Sequence, residues 1–252
     1  EHQANPLKTR AEWAASRLLM RLADRVVVLT LAYRDDLRAG LGAAWREDRV
    51  SVIPNGIDTA LFHPVAPRDR RGPRVVGMAS RFAGNKRHEA LIGAMARLKA
   101  ADGAEAWRLT LAGDGETRAG LMAMAREAGV DDIVEFPGYL GEAGLLAWFS
   151  GLDLYAHATD GETLSTSILQ AMAMALPIVG SNVTGVTSLL AEGGGVGVVA
   201  RDQSPDAFAD AFRAIADDPD GASAMAERAR ALAVRVYSQD AMHRAYRALL
   251  EA

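Results

Sequence analysis

The sequence predicts an α/β protein built on a Rossmann-like, doubly wound parallel sheet. Three observations predict it. Short apolar runs such as Val75–Ala79, Trp107–Ala112 and Leu152–His157 alternate with amphipathic stretches of helical length. Strands buried on both faces read as near-continuous hydrophobic runs, as these do. Ala, Gly, Val and Leu are abundant while aromatic residues make up only 6%, a mixture better suited to helices on a sheet than to a β-sandwich. Finally, 252 residues, half of them hydrophobic and 24% charged, supply a core for one large α/β domain or one and a half smaller ones.

Each element follows from local pattern. From Leu7 to Ala23, Trp13, Leu18, Leu19 and Leu22 recur at helical spacing, and Val26–Leu29 is a short buried strand. A second helix, about Ala32 to Ala39, is expected to stop at Gly40. Arg49–Ile53 is a strand ended by the turn Pro54-Asn55-Gly56. Segment 64–74, with its prolines and Arg68, Arg70, Arg71 and Arg74, reads as a solvated linker, or as a basic contact for anionic lipid. Beyond it a strand–loop–helix rhythm places strands at 75–79, 107–112, 133–136, 152–157, 177–180 and 196–199. Helices are expected over 88–100, 117–128, 142–149, 166–175, 187–192, 205–216, 222–236 and 239–250.

Composition removes several function classes. A formal net charge of −4 lacks the broad basic footprint of a nucleic-acid binder. The absence of cysteine rules out disulfides, thiolate metal sites and a Cys nucleophile, and fits a reducing compartment. No apolar run reaches the roughly 18 residues of a spanning helix. The opening Glu-His-Gln-Ala-Asn-Pro is neither a signal nor a transit peptide. A cytoplasmic protein, with peripheral contact at the inner membrane face, is the expected setting.

In an open parallel sheet, ligands bind beyond the carboxyl ends of the strands. Three loops there stand out. Ser80-Arg81-Phe82-Ala83-Gly84-Asn85-Lys86 carries two cations ahead of a helix, an arrangement suited to a pyrophosphate or to plain solvation. Ala112-Gly113-Asp114-Gly115-Glu116 permits close backbone approach to a ligand, and is equally an ordinary turn; Arg118 stands where a dinucleotide fingerprint needs its third glycine. Thr159-Asp160-Gly161-Glu162-Thr163-Leu164-Ser165 precedes a helix that Ser165 or Thr163 can cap, with Gln170 about a turn inside. A carboxylate beside anion-binding amides suits a ligand carrying both phosphate and hydroxyls, such as a sugar nucleotide. Glu162 alone is otherwise an exposed acidic loop residue.

Together these loops resemble the retaining group 1 (family 4) glycosyltransferases of GT-B fold. The matching strings are Val52-Ile53-Pro54-Asn55-Gly56-Ile57-Asp58 with Phe62 and Pro64, Ser80-Arg81 with Lys86, Leu111-Ala112-Gly113-Asp114-Gly115, Val134-Glu135-Phe136-Pro137-Gly138-Tyr139, and Glu162 through Gln170-Ala171-Met172-Ala173 to Leu176-Pro177-Ile178-Val179. The resemblance implies a transfer from a nucleoside-diphosphate sugar to a glycan or lipid-linked acceptor, with retention, and with neither metal nor other cofactor. Arg81 and Lys86 would hold the donor diphosphate, and Glu162 the sugar hydroxyls. The backbone of Thr163, Leu164 and Ser165 would meet phosphate, Gly113 would border the donor, and Gly138, Tyr139 and Leu140 would flank the base. Glu1-His2 with Asn5-Pro6 is similar to members that build capsule, lipopolysaccharide or lipid-linked glycans, in which such a His lies by the reacting sugar; His2 is its counterpart.

The implied division is a remnant of the N-terminal acceptor domain (1–56), the C-terminal donor-binding domain (57–237) and a helix (238–252) packing back toward the first part. About 100 residues of acceptor domain are then expected before residue 1. Two departures stand out: Gln170 replaces the Glu that binds ribose hydroxyls, and Gly185-Val186-Thr187-Ser188 replaces Gly-Val-Pro-Glu. They leave open a non-catalytic sugar-nucleotide-binding or structural module. A nicotinamide-dependent Rossmann enzyme is the other rival, disfavoured by Arg118.

Overall fold

In a computed structural model, which describes residues 10–64 and 72–251, six parallel strands form the central sheet. They are β3 (Arg74–Ala79), β4 (Trp107–Ala112), β5 (Val134–Gly138), β6 (Leu154–His157), β7 (Ile178–Gly180) and β8 (Val198–Val199), in the spatial order β5-β4-β3-β6-β7-β8. A separate two-stranded parallel sheet pairs β1 (Val26–Val28) with β2 (Val50–Val52). The helices are α1 (Arg10–Leu22), α2 (Leu31–Leu41), α3 (His88–Asp102), α4 (Arg118–Glu127), α5 (Glu142–Ser150), α6 (Thr166–Ala173), α7 (Thr184–Ala191), α8 (Pro205–Asp217), α9 (Pro219–Val236) and α10 (Gln239–Glu251).

The chain leaves β3 for β4 and β5 on one side, then returns to β6 on the other. Strand order therefore reverses between β3 and β6, the place where open α/β sheets hold ligands. Each face of the sheet has its own core. On one, Met78, Leu109 and Leu111 pack with Ile92, Met95 and Leu98 of α3 and Phe208 and Phe212 of α8. On the other, Tyr155 and Ile178 pack with Phe149, Ile168, Leu169, Met172 and Leu190. Full burial of each such side chain contributes about 1.5–3 kcal/mol, so the doubly wound layering follows from strands that are apolar on both faces. After β2, Ile57 donates to Tyr237 O and accepts from the Gln239 N–H, at 2.8 and 2.9 Å, which ties this segment to the start of α10.

Several boundaries differ from the sequence expectation for identifiable reasons. Helix α2 runs through Gly40, where a Cβ would lie 1.8 Å from the Trp13 ring. Gly40 is thus a packing contact, and Gly42, at φ +53°, ends the helix. Helix α9 starts at Pro219, not 222, since Asp218 caps it by accepting from Gly221 N at 2.9 Å. Helix α7 starts at Thr184, which puts the whole of Gly185–Ser188 inside it. Arg74 belongs to β3, its guanidinium 5.5 Å from the Trp107 ring centroid. Its proposed basic companions Arg68, Arg70 and Arg71 lie outside the described residues. Among the described residues no helix is long and apolar enough to cross a membrane.

Two features fix the loop that follows β3. The Gly-Asp-Gly turn after β4 lies directly on it: a Cβ on Gly113 (φ +137°) would come 1.9 Å from Ser80 O, and one on Gly115 2.3 Å from Phe82 O. These glycines admit a neighbouring backbone. His88, wholly buried at the start of α3, clamps the same loop from behind. Its Nδ1 lies 3.2 Å from Lys86 O and its Nε2 2.9 Å from Ser80 Oγ. A neutral ring satisfies both, with Nδ1–H donating to the carbonyl and Nε2 accepting from the hydroxyl. Burial pushes its pKa down to about 4.

The unfolded chain protonates this histidine near its ordinary 6.5 while the folded chain refuses the proton until about 4. Stability is therefore expected to fall as pH drops through that window, by about 2 kcal/mol from pH 7 to pH 5. Urea denaturation at the two values measures it, and His88→Asn, which keeps a donor at the Nδ1 position, should flatten the dependence. Gly113→Ala is expected to cost about 1–3 kcal/mol through the strained φ and the Ser80 clash. That would appear as a melting temperature lower by about 2–4 °C per kcal/mol.

Candidate functional site

The loops after β3 and β6 meet at the reversal point and are stitched by an isolated bridge between Lys86 and Thr159. In the first loop, Phe82 is fully buried and anchors the turn, leaving Arg81 exposed. Lys86 reaches across the reversal: its Nζ lies 2.9 Å from Glu162 Oε2 and 3.4 Å from Thr159 Oγ1. The next residue repeats the crossing, Arg87 donating to Asp160 Oδ1 at 3.0 Å.

The second loop is held from beneath by residues the sequence reading passed over. The Thr159 N–H donates to Ser181 Oγ at 2.8 Å, and Ser181 donates to Gln203 Oε1 at 2.8 Å. Gln203 Nε2 closes the ring by donating to Thr159 O at 3.0 Å. From the side, a Cβ on Gly185 would lie 1.8 Å from Glu162 O, so the first turn of α7 presses on the loop backbone. Neither Ser181 nor Gln203 carried a local signal; they meet only because β7 lies between β6 and β8 in the sheet.

Glu162 has both carboxylate oxygens engaged. Oε2 accepts from Lys86 and from His157 Nε2 at 3.2 Å, and Oε1 accepts from the Thr163 N–H at 3.1 Å. Partial burial would raise its pKa, but the hydrogen bonds from His157 and Lys86, with the lysine's charge, outweigh that and bring it to about 2. His157 is 1% exposed, and burial drives its own pKa down, with the bond to Glu162 opposing and the Lys86 charge assisting. The pair is thus an ionised carboxylate and a neutral imidazole. A histidine within an apolar strand run was the one available signal, and it read simply as strand.

The other predicted residues fall into two groups. Ser165 caps α6, accepting from Ile168 N at 3.4 Å, so the helix N-terminus opens beside Thr163 and Glu162. Leu164 is buried in the core, leaving only its backbone for a ligand. Arg81, Gly113, Tyr139 and Leu140 line one cavity of about 400 Å³ beyond β3, β4 and β5. There the Gly113 N–H donates to Gly138 O at 2.8 Å, Gly138 turns the chain at φ +81°, and the Tyr139 ring stands 82% exposed. Gln170 is half-buried on α6 and does not line that cavity. His2 lies outside the described residues. A larger cavity, about 1340 Å³, opens at the opposite end of the sheet against Arg74, Trp107, Asp153 and Pro177, and is lined by none of the described residues expected to bind the donor.

The site thus combines an exposed guanidinium, a lysine–carboxylate pair, a helix N-terminus and an apolar-walled cleft along one sheet edge. Proteins of known kind are similar to this chain. Glycogen synthase of Mycobacterium tuberculosis is 30% identical over 223 residues, 88% of this chain and 52% of the relative. The GDP-mannose-dependent alpha-mannosyltransferase of Mycolicibacterium smegmatis is 30% identical over 191 residues, 73% of this chain and 46% of the relative. The chain therefore spans about half the length of these relatives. The Anabaena HepE structure in complex with UDP and glucose superposes with a TM-score of 0.82 at 21% identity, covering 97% of this chain and 68% of that one. Sucrose-phosphate synthase of Thermosynechococcus elongatus gives 0.81 at 22% identity, covering all of this chain and 64% of that one. Both likenesses show the GT-B fold. A Glycosyltransferase Family 4 profile matches residues 1–61, and the profile described as Glycosyl transferases group 1 matches residues 73–218: the chain belongs to the group 1 glycosyltransferases.

Proposed function

We propose that this chain carries the donor half of a retaining, metal-independent glycosyltransferase that moves a sugar from a nucleoside-diphosphate sugar to a glycan or lipid-linked saccharide. The observation that carries this is the Lys86–Glu162 pair at the strand reversal, flanked by the Arg81-lined cleft on one side and the start of α6 on the other. A sugar nucleotide presents base, diphosphate and sugar in line, and the site offers a matching order. The cleft by Gly138, Tyr139 and Leu140 takes the base, and Arg81, Lys86 and the amides near Ser165 take the diphosphate. Glu162 takes the sugar hydroxyls, since an oxygen with one donor retains a lone pair for another.

Chemistry at such a site is electrostatic. The bond to the diphosphate breaks as charge develops on its oxygens, and fixed donors already aimed there need no reorganisation. Arg81 and Lys86 supply the positive charge a metal supplies elsewhere. Gln170 would meet the ribose through its amide, without a carboxylate's charge, and His2 would lie near the reacting sugar. The name of the mannosyltransferase relative and the UDP and glucose bound to HepE support the donor class. A cytoplasmic location, with peripheral contact at the inner membrane face, completes the proposal.

Isothermal calorimetry with UDP, GDP and ADP, their glucose or mannose conjugates, and NAD as control tests it. One nucleotide family should bind, NAD should not, and Arg81→Ala/Lys86→Ala should weaken binding by at least about a hundredfold, given about 1.5–3 kcal/mol for each of the two lost charge-assisted bonds. A folded wild type that binds none of them would overturn the proposal in favour of a structural module.

A further inference from the structure

We propose that His157 is a positioning residue for the donor sugar: its Nε2–H fixes the plane of the Glu162 carboxylate, and through it the choice of sugar. This rests on Glu162 being the group that meets the sugar.

The argument begins with what a lysine cannot do. An ammonium is a point charge on a flexible stem; it fixes a distance but not the orientation of a carboxylate. Lys86 Nζ lies 2.9 Å from Glu162 Oε2 and leaves the carboxylate free to turn about that contact. The Thr163 N–H on Oε1, at 3.1 Å, belongs to the adjacent residue and moves with the loop. His157 is different in kind. It sits at the end of β6, inside the sheet and 1% exposed, and its Nε2 reaches the same Oε2 at 3.2 Å.

Its ring cannot swing. His157 stacks on Tyr155, with planes 26° apart and centroids 6.3 Å apart. The Tyr155 hydroxyl lies 3.4 Å from Nδ1 and 2.8 Å from Ser167 Oγ, which in turn is 3.0 Å from Ser165 Oγ, the cap of α6. These contacts hold the ring from the side away from Glu162. The carboxylate on Nε2 assigns the ring proton to that nitrogen. The charged groups at hand are Glu162 and Lys86, and the other nearby imidazole, His88, is itself neutral at pH 7.

The readout is a ratio, measured by calorimetry: affinity for the nucleoside-diphosphate sugar that binds in the panel above, relative to its free nucleoside diphosphate. His157→Leu is expected to leave the free diphosphate unchanged and to lower the ratio about tenfold, the loss of one hydrogen bond to a charged group. His157→Gln, whose amide nitrogen can occupy the Nε2 position, should restore most of the ratio, whereas His157→Asn, which reaches only the Nδ1 position, should not. A merely structural role would weaken both ligands together or treat Gln and Asn alike, and either result overturns the proposal. Should the leucine variant fail to fold, the Gln–Asn comparison and the wild-type ¹⁵N imidazole shifts decide it, a proton on Nδ1 in the free protein being the contrary result. If the wild type binds no sugar nucleotide, the proposed function falls and this inference with it. If it binds and His157→Leu keeps the ratio, only this inference falls.

Discussion

The Lys86–Glu162 pair spans the one place where the sheet changes direction, and much of the surrounding structure serves to hold it. Both side chains are largely withdrawn from water, at 15% and 19% exposure. At that burial the loss of hydration offsets much of the Coulomb gain, and an apolar pair of similar volume would often be as stable or more so. The pair is thus poorly explained as a stabilising device. It is better explained as two opposite charges kept at a fixed separation and available to a ligand with both anionic and hydroxyl groups.

Holding it takes support on every side. His88 fixes the backbone of Lys86, and the glycines of the β4 turn let that loop lie flat against its neighbour. The Ser181–Gln203 ring fixes Thr159, and Gly185 lets α7 close on the Glu162 carbonyl. These contacts come from the ends of β3, β4, β6, β7 and β8, so the site draws on nearly the whole sheet. Displacing any of those strands would move one partner of the pair relative to the other.

That dependence explains what was legible in the sequence. Strands and long helices were legible because burial on both faces leaves unbroken apolar runs, and a cap such as Ser165 is local. Arg81, Lys86 and Glu162 were legible because each sits in a short polar loop between apolar elements. Gly40 was misread because a glycine's reason can be a partner far along the chain, here Trp13. His157, Ser181 and Gln203 stayed hidden for the same cause. Their partners are adjacent only once β6, β7 and β8 lie side by side, and no spacing rule along the chain encodes that.

The two departures from the family pattern acquire a physical sense from this arrangement. Gln170 and Ser188 both stand where the family carries a carboxylate, and both lie on helices that flank the pair and outside its support. Under the proposed function, two fewer carboxylates make the surroundings of the donor less negative, while Glu162 is already balanced by Lys86. A diphosphate would then be opposed by less negative charge, and the ribose would be met without a carboxylate. On the same proposal, the orientation of Glu162 carries more of the choice of sugar than it would in a pattern-typical member.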